Sequence, residues 1–207
     1  MAEISARDVK ALRDATGAGM MDCKKALAEA NGDIDAAKRI LREKGLADAA
    51  KRTGRAASEG IVYTYLHRPA PDYPPKLGVL LELNCETDFV AKTESFERLA
   101  KDIAMHISFA DPSWKSRDEV PQDVIDEESA IYAKQAKDQG KPEQVIEKIV
   151  SGKLEAFYKE NALLDQEWIQ DKSKTIGQLV DEARASMGEN VDIGRFCRVR
   201  VGEKEQA

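Results

Sequence analysis

Apolar positions recur every three or four residues through the first 45 positions. Val9 and Leu12 form one pair; Cys23, Ala26, Leu27 and Ala30 form a second group; Ala36, Ala37, Ile40 and Leu41 form a third. That period predicts three short helices, each with one inward side. Ser5 followed by Asp8 is a capping-box pattern for the first. TGAG at 16–19 separates the first two, because two glycines release the backbone. Asn31-Gly32 ends the second, Asp33 can cap the third, and Lys44-Gly45 is expected to close it. A bundle this small buries little surface and is marginal alone. Residues 46–59, LADAAKRTGRAASE, read as a linker that begins as helix.

The pattern then changes. IVYTYLH (61–67) is rich in β-branched and aromatic residues, as a strand requires. LGVLLELN (77–84) reads as a second strand. RPAPDYPPK (68–76) lies between them with four prolines, so it is neither helix nor central strand. It reads as a stiff antiparallel connector, and no function is assigned to it. Phe89, Phe96, Leu99, Ala100, Ile103 and Ile107 return to helical spacing. Helices are expected near 121–139 and 142–161, joined by Gly140-Lys141-Pro142 as a hairpin. Val145, Ile146, Ile149, Val150, Leu154 and Phe157 would share one face of the second. Another helix fits 175–187. VDIGRFCRVRV (191–201) alternates as a strand, with Cys197, Val199 and Val201 on one side and Phe196, Arg198 and Arg200 on the other. The predicted class is α+β: a three-helix module at 1–54, then a core domain at 55–207 with a small antiparallel sheet, packed helices and a helical hairpin.

Charge sharpens the division. The 207 residues carry a formal net charge of −6. Residues 1–55 hold 12 basic and 9 acidic side chains, whereas the remainder holds 20 basic and 29 acidic. Opposite signs suggest separate modules, and the overall balance does not favour nucleic acid as a partner. Lys51, Arg52 and Arg55 form a short basic cluster that reads as a solvated linker. No apolar run approaches the roughly 18 residues of a membrane span. The N-terminal stretch MAEISARDVKALR lacks the apolar region of a signal peptide. Three separated cysteines without a CxxC suggest neither a disulfide framework nor a zinc site, which fits a reducing cytoplasm.

Candidate chemistry is sparse. A thiol hydrolase would need Cys85 and a base such as His106, yet Cys85 ends an apolar strand, where cysteine is usually a small buried hydrophobe. There is no phosphate-binding loop sequence. Glu82, Glu86 and Asp88 lack calcium-loop spacing and read as solvated charges. No cofactor is implied, and no enzyme activity is expected. The stretch NCETDFVAK (84–92) asks more. Thr87 can cap a helix beginning at Asp88, and an acid there suits the helix dipole. Phe89 stands seven residues before Phe96 and can be core. Alternatively, Asp88 and Phe89 project together, a hydrogen-bonding hook beside a wedge. Residue physics leaves both open. Met20-Met21, just after Gly19, are equally at home in a core or on a binding surface.

Two long stretches, LRDATGAGMMDCKKAL (12–27) and ELNCETDFVAK (82–92), closely resemble the signatures of the elongation factor Ts family. The similarity continues through NGDIDAAKRILREKG, KDIAMHI, GKPEQVIEKIVSGKLEAFYKE and KTIGQLVDEARASMGENVDIGRFCRVRVG, nearly the whole chain. The resemblance implies a ubiquitin-associated-type N-terminal module and guanine-nucleotide exchange on elongation factor Tu. It implies partner-binding roles for Met20 and Met21, with Lys10 and Arg13 on the preceding helix, and for Thr87, Asp88, Phe89 and Val90 in the core. Under it the wedge becomes the favoured reading of Phe89. Longer relatives contain a second core subdomain that is not evident here. Short members pair as homodimers, so a two-plus-two complex with elongation factor Tu is expected. The Cys197-Val199-Val201 face suits a sheet-based dimer, with Cys197 a thiol rather than a disulfide. The rival function is a ubiquitin-associated-type adaptor that binds a protein partner without exchange.

Overall fold

The computed structural model describes residues 4–16 and 18–203. Among them are eight α-helices and five strands. In chain order these are α1 (Ala6–Thr16), α2 (Met20–Glu29), α3 (Ile34–Arg52), β1 (Glu59–His67), β2 (Leu77–Cys85), α4 (Asp88–Ala91), α5 (Glu94–Ala110), α6 (Gln122–Asp138), α7 (Glu143–Asn161), β3 (Glu167–Trp168), β4 (Asp171–Thr175), α8 (Ile176–Met187) and β5 (Val191–Arg200). The class is α+β, as the sequence patterns predict. A three-stranded antiparallel sheet has the order β1-β2-β5, and β3 pairs with β4. The chain divides into two compact units.

One unit comprises Met1–Gly60, Asn84–Ala91 and Val180–Asp192. Its helical core is Val9, Leu12, Cys23, Ala26, Leu27, Ala37 and Leu41, with Ile40 and Ala30 half-buried against it. These are the predicted inward positions. The expected caps are present as well. The Ser5 hydroxyl accepts from the Asp8 N–H, and the Asp33 carboxylate accepts from the N–H groups of Asp35 and Ala36. Asn31 and Gly32 both take positive φ, and the Gly32 N–H donates to the Leu27 carbonyl at 2.8 Å, closing α2. Of the TGAG turn, Gly17 lies outside the described residues.

The third helix departs from expectation. It does not stop at Lys44-Gly45 but runs through to Arg52. Gly45 has a different use. A Cβ placed there would stand 3.3 Å from the Ala185 side chain, so glycine permits close approach of α8. Lys51 and Arg55 of the basic cluster are exposed, as expected of a solvated segment, but Lys51 and Arg52 end α3 and all three side chains have partners. Arg52 donates to the Arg184 carbonyl, Lys51 pairs with Asp48, and Arg55 pairs with Glu86. Arg42 adds an ion pair to Glu182 at 3.1 Å. The Arg52 and Arg42 bonds tie α3 to the second half of α8.

The other unit comprises Ile61–Leu83, Lys92–Leu179 and Ile193–Ala207. Its buried apolar residues come chiefly from Val79, Leu81 and Leu83 of β2 and from Phe96, Leu99, Ile103 and Ile107 of α5. The α6–α7 hairpin forms as expected around Gly140, whose φ is +70°. Its predicted apolar face is less covered than the pattern suggests. Ile146 is buried, Val145 is exposed, and Ile149, Val150, Leu154 and Phe157 are half-buried.

A buried polar knot closes this unit. His106, 1% exposed, donates from Nε2 to Gln166 Oε1 at 2.9 Å, while its Nδ1 accepts the Ile169 N–H. Gln166 in turn donates to the carbonyls of Glu160 and Ala110. Both ring nitrogens are occupied only in the neutral form. Burial lowers the His106 pKa, against a smaller upward push from Gln166. The unfolded chain therefore binds the proton first. The neutral-His contribution to stability is whole above a pH of about 6.5 and is lost as pH falls below it. Denaturant midpoints measured from pH 7.5 to 5 are expected to drop for the wild type. His106→Gln should flatten that decline.

Candidate functional site

At the end of β2 the chain turns sharply into the four-residue helix α4. Cys85 is buried there, and its Sγ donates to the Thr87 carbonyl at 3.2 Å. The Ala91 N–H donates to the same carbonyl and forms the helical turn. The Thr87 Oγ1 accepts the Val90 N–H at 3.4 Å, so Thr87 is the predicted cap. Thr87 also donates its hydroxyl to Glu189 Oε1 at 2.6 Å. Glu189 Oε2 accepts the backbone N–H groups of Glu86 and Thr87, each at 3.1 Å. The Glu86 side chain reaches the opposite way: its Oε1 accepts the Asn190 N–H at 2.6 Å. Asn190 completes the clasp by donating from Nδ2 to the Arg55 carbonyl at 2.8 Å. Segments 86–87 and 189–190 therefore hold each other through reciprocal carboxylate–backbone bonds. Such charge-assisted bonds are stronger than neutral ones.

What this clasp presents is unusual. Phe89 is 80% exposed, whereas Asp88 beside it is half-buried. Burying a Phe side chain is worth about 1.5–3 kcal/mol, so a Phe held outward on a tied turn forgoes that gain. It is not core, despite its spacing from Phe96. Val90 and Thr87 are half-buried. On the N-terminal helices, Met20 and Met21 are 53% and 65% exposed on the first turn of α2. Lys10 and Arg13 are exposed on α1. The eight candidate residues fall on three elements of one compact unit: α1, the start of α2, and the Thr87–Val90 turn.

The other candidates resolve differently. Burial, and secondarily the Glu189 charge, push the Cys85 thiol pKa up, away from the thiolate a nucleophile needs. His106 is committed to Gln166 and Ile169. Glu82 pairs with Arg195 at 3.0 Å, and Glu86 belongs to the clasp, so neither is merely a solvated charge. Among the described residues, no group of three or more His, Cys, Asp or Glu side chains could hold a metal ion. No helix there is long and apolar enough to cross a membrane.

Comparison with known proteins agrees with the signatures. The family model for elongation factor Ts matches residues 7–203. The chain belongs to the elongation factor Ts family. Elongation factor Ts of Fervidobacterium nodosum is 56% identical over 201 residues, covering 97% of this chain and 100% of that protein. The proteins of the same name from Thermosipho melanesiensis and Frankia alni are each 52% identical over 97% of this chain, and over 100% and 98% of their own lengths. Membership makes the chain a translation elongation factor acting in protein biosynthesis.

Sequence reasoning missed Glu189, Asn190, Arg55 and the structural role of Glu86. Glu189 bonds to residues 102 and 103 positions away, so no local spacing signals it. The only available sign was its place in SMGEN, inside the family-like tail.

Proposed function

We propose that the chain is a guanine-nucleotide exchange factor that binds elongation factor Tu carrying GDP and promotes GDP release. The exposed Phe89 on its clasped turn, with Asp88 beside it, is the observation that supports this reading. In the partner, GDP is held by backbone N–H groups around its phosphates and by magnesium. Phe89 levers apart elements that support the magnesium site, and Asp88 holds one of them in its displaced position. Met20 and Met21, with Lys10 and Arg13 nearby, grip the nucleotide-binding domain. No bond is made or broken, so the chain is not an enzyme in the chemical sense. It needs no cofactor of its own, and it works in the cytoplasm on protein rather than on nucleic acid or membrane. Residues 1–54 serve as the partner-gripping module and 55–207 as the core.

Linkage sets the test. If the chain weakens GDP by some factor, GDP weakens the chain by the same factor. The complex with elongation factor Tu is expected to elute intact from gel filtration without nucleotide and to dissolve when GDP and magnesium are added. Equal binding with and without GDP would instead favour a ubiquitin-associated-type adaptor.

The chain is also proposed to pair with a second copy. Val62 and Leu66 of β1, Leu80 of β2 and Val199 of β5 are exposed apolar side chains on the sheet. A Cβ at Gly78 would stand 3.1 Å from Leu66, and Arg195 pairs with Glu82, so these strands present one continuous exposed side. Several large apolar side chains exposed on one sheet face, around the Glu82–Arg195 pair, suit an interaction site. Cys197 lies on it as a free, exposed thiol. Sedimentation equilibrium is expected to give a dimer for the wild type and a monomer for Leu80→Asp. A monomeric wild type at micromolar concentration would refute pairing through this face.

A further inference from the structure

We propose that Glu189 is the positioning residue that aims Phe89, an inference that rests on the exchange reading. A wedge can displace a partner's elements only if its own base does not yield. The base here is two residues long, Glu86 and Thr87, and one carboxylate holds both. It accepts their consecutive backbone N–H groups with one oxygen and the Thr87 hydroxyl with the other. The Thr87 hydroxyl passes the restraint on, since its oxygen accepts the Val90 N–H on the far side of Phe89. Phe89 is thus bracketed by residues fixed directly or indirectly to Glu189. The neighbouring Asn190 N–H bond to Glu86 keeps the 189–190 segment from sliding along the turn. Fixing the turn before contact spares the complex the entropy of ordering it. A distant mutation that misplaces site groups by about 1 Å can cost on the order of 100-fold in rate, which sets the upper scale for losing the clasp.

The test is GDP release from elongation factor Tu at saturating chain. Glu189→Ala is expected to slow stimulated release by about 10- to 100-fold. Glu189→Gln keeps an acceptor for both N–H groups and is expected to recover to within about threefold of wild type. The decisive readout is coupling. If Glu189 acts through Phe89, adding Glu189→Ala to Phe89→Ala slows release no further. Additive losses would mean general damage to the unit and would overturn the proposal, as would wild-type rates in Glu189→Ala. Should Glu189→Ala lose its cooperative melt, Thr87→Val replaces it. That variant removes the hydroxyl relay but keeps both backbone bonds, and its loss must also vanish on the Phe89→Ala background. No acceleration by the wild-type chain would remove the exchange reading itself, and the Glu189 proposal with it.

Discussion

Alanine at both Asp88 and Phe89 is expected to lower stimulated GDP release by about 100-fold while leaving the fold intact. A 100-fold loss corresponds to about 2.7 kcal/mol at about 1.4 kcal/mol per tenfold, which is a central interface aromatic's cost on truncation, at least about 2 kcal/mol, plus a smaller share from its polar neighbour. Phe89 lies outside the core, so its removal leaves no cavity. Asp88 is half-buried, and its loss should take the smaller share. Binding is expected to weaken less than release, because Met20, Met21 and the helices around them are untouched. A fall in release matched by an equal fall in affinity would mean that the pair only anchors the complex. Unchanged release would return Thr87–Val90 to a capped turn with no role in exchange.

Phe96→Ala is expected to destabilise the chain by about 3–5 kcal/mol, and Phe89→Ala by less than about 0.5 kcal/mol. The two residues are the same type, seven positions apart. Phe96 is 0% exposed on the inner side of α5, and its N–H donates to the Thr93 cap. Its truncation leaves a cavity lined by neighbours that cannot all collapse. Chemical denaturation of the two variants separates the roles within one experiment. Similar losses at both positions would place Phe89 back in the core and remove the basis for the wedge.

That pair also marks how far the sequence could be read. Seven-residue spacing fits a single helix face, so periodicity alone assigns both phenylalanines to the core. It fails because Thr93 caps a new helix between them, so the two phenylalanines do not share one helix. The first helices were legible because their caps and apolar stripes are local. Ser5, Asp33 and the Asn31-Gly32 stop act within four or five residues of themselves. Gly45 was misread because glycine serves equally as a helix stop and as a point of close approach. Only Ala185, 140 positions away, decides between them. Glu189 was invisible for the same reason, since a carboxylate distant in sequence carries no mark of what it holds. The site residues themselves were found through the family-like signatures, and their burial then divided them into the exposed Phe89, Met20 and Met21 and the half-buried Asp88, Thr87 and Val90.

The most direct measurement is stopped-flow release of fluorescent GDP from elongation factor Tu on mixing with the wild-type chain and excess unlabelled nucleotide. Release should accelerate with chain concentration and approach a plateau, as expected when a transient ternary complex loses its nucleotide. Release at the spontaneous rate across all chain concentrations, with a partner shown to bind the chain, would contradict the exchange function.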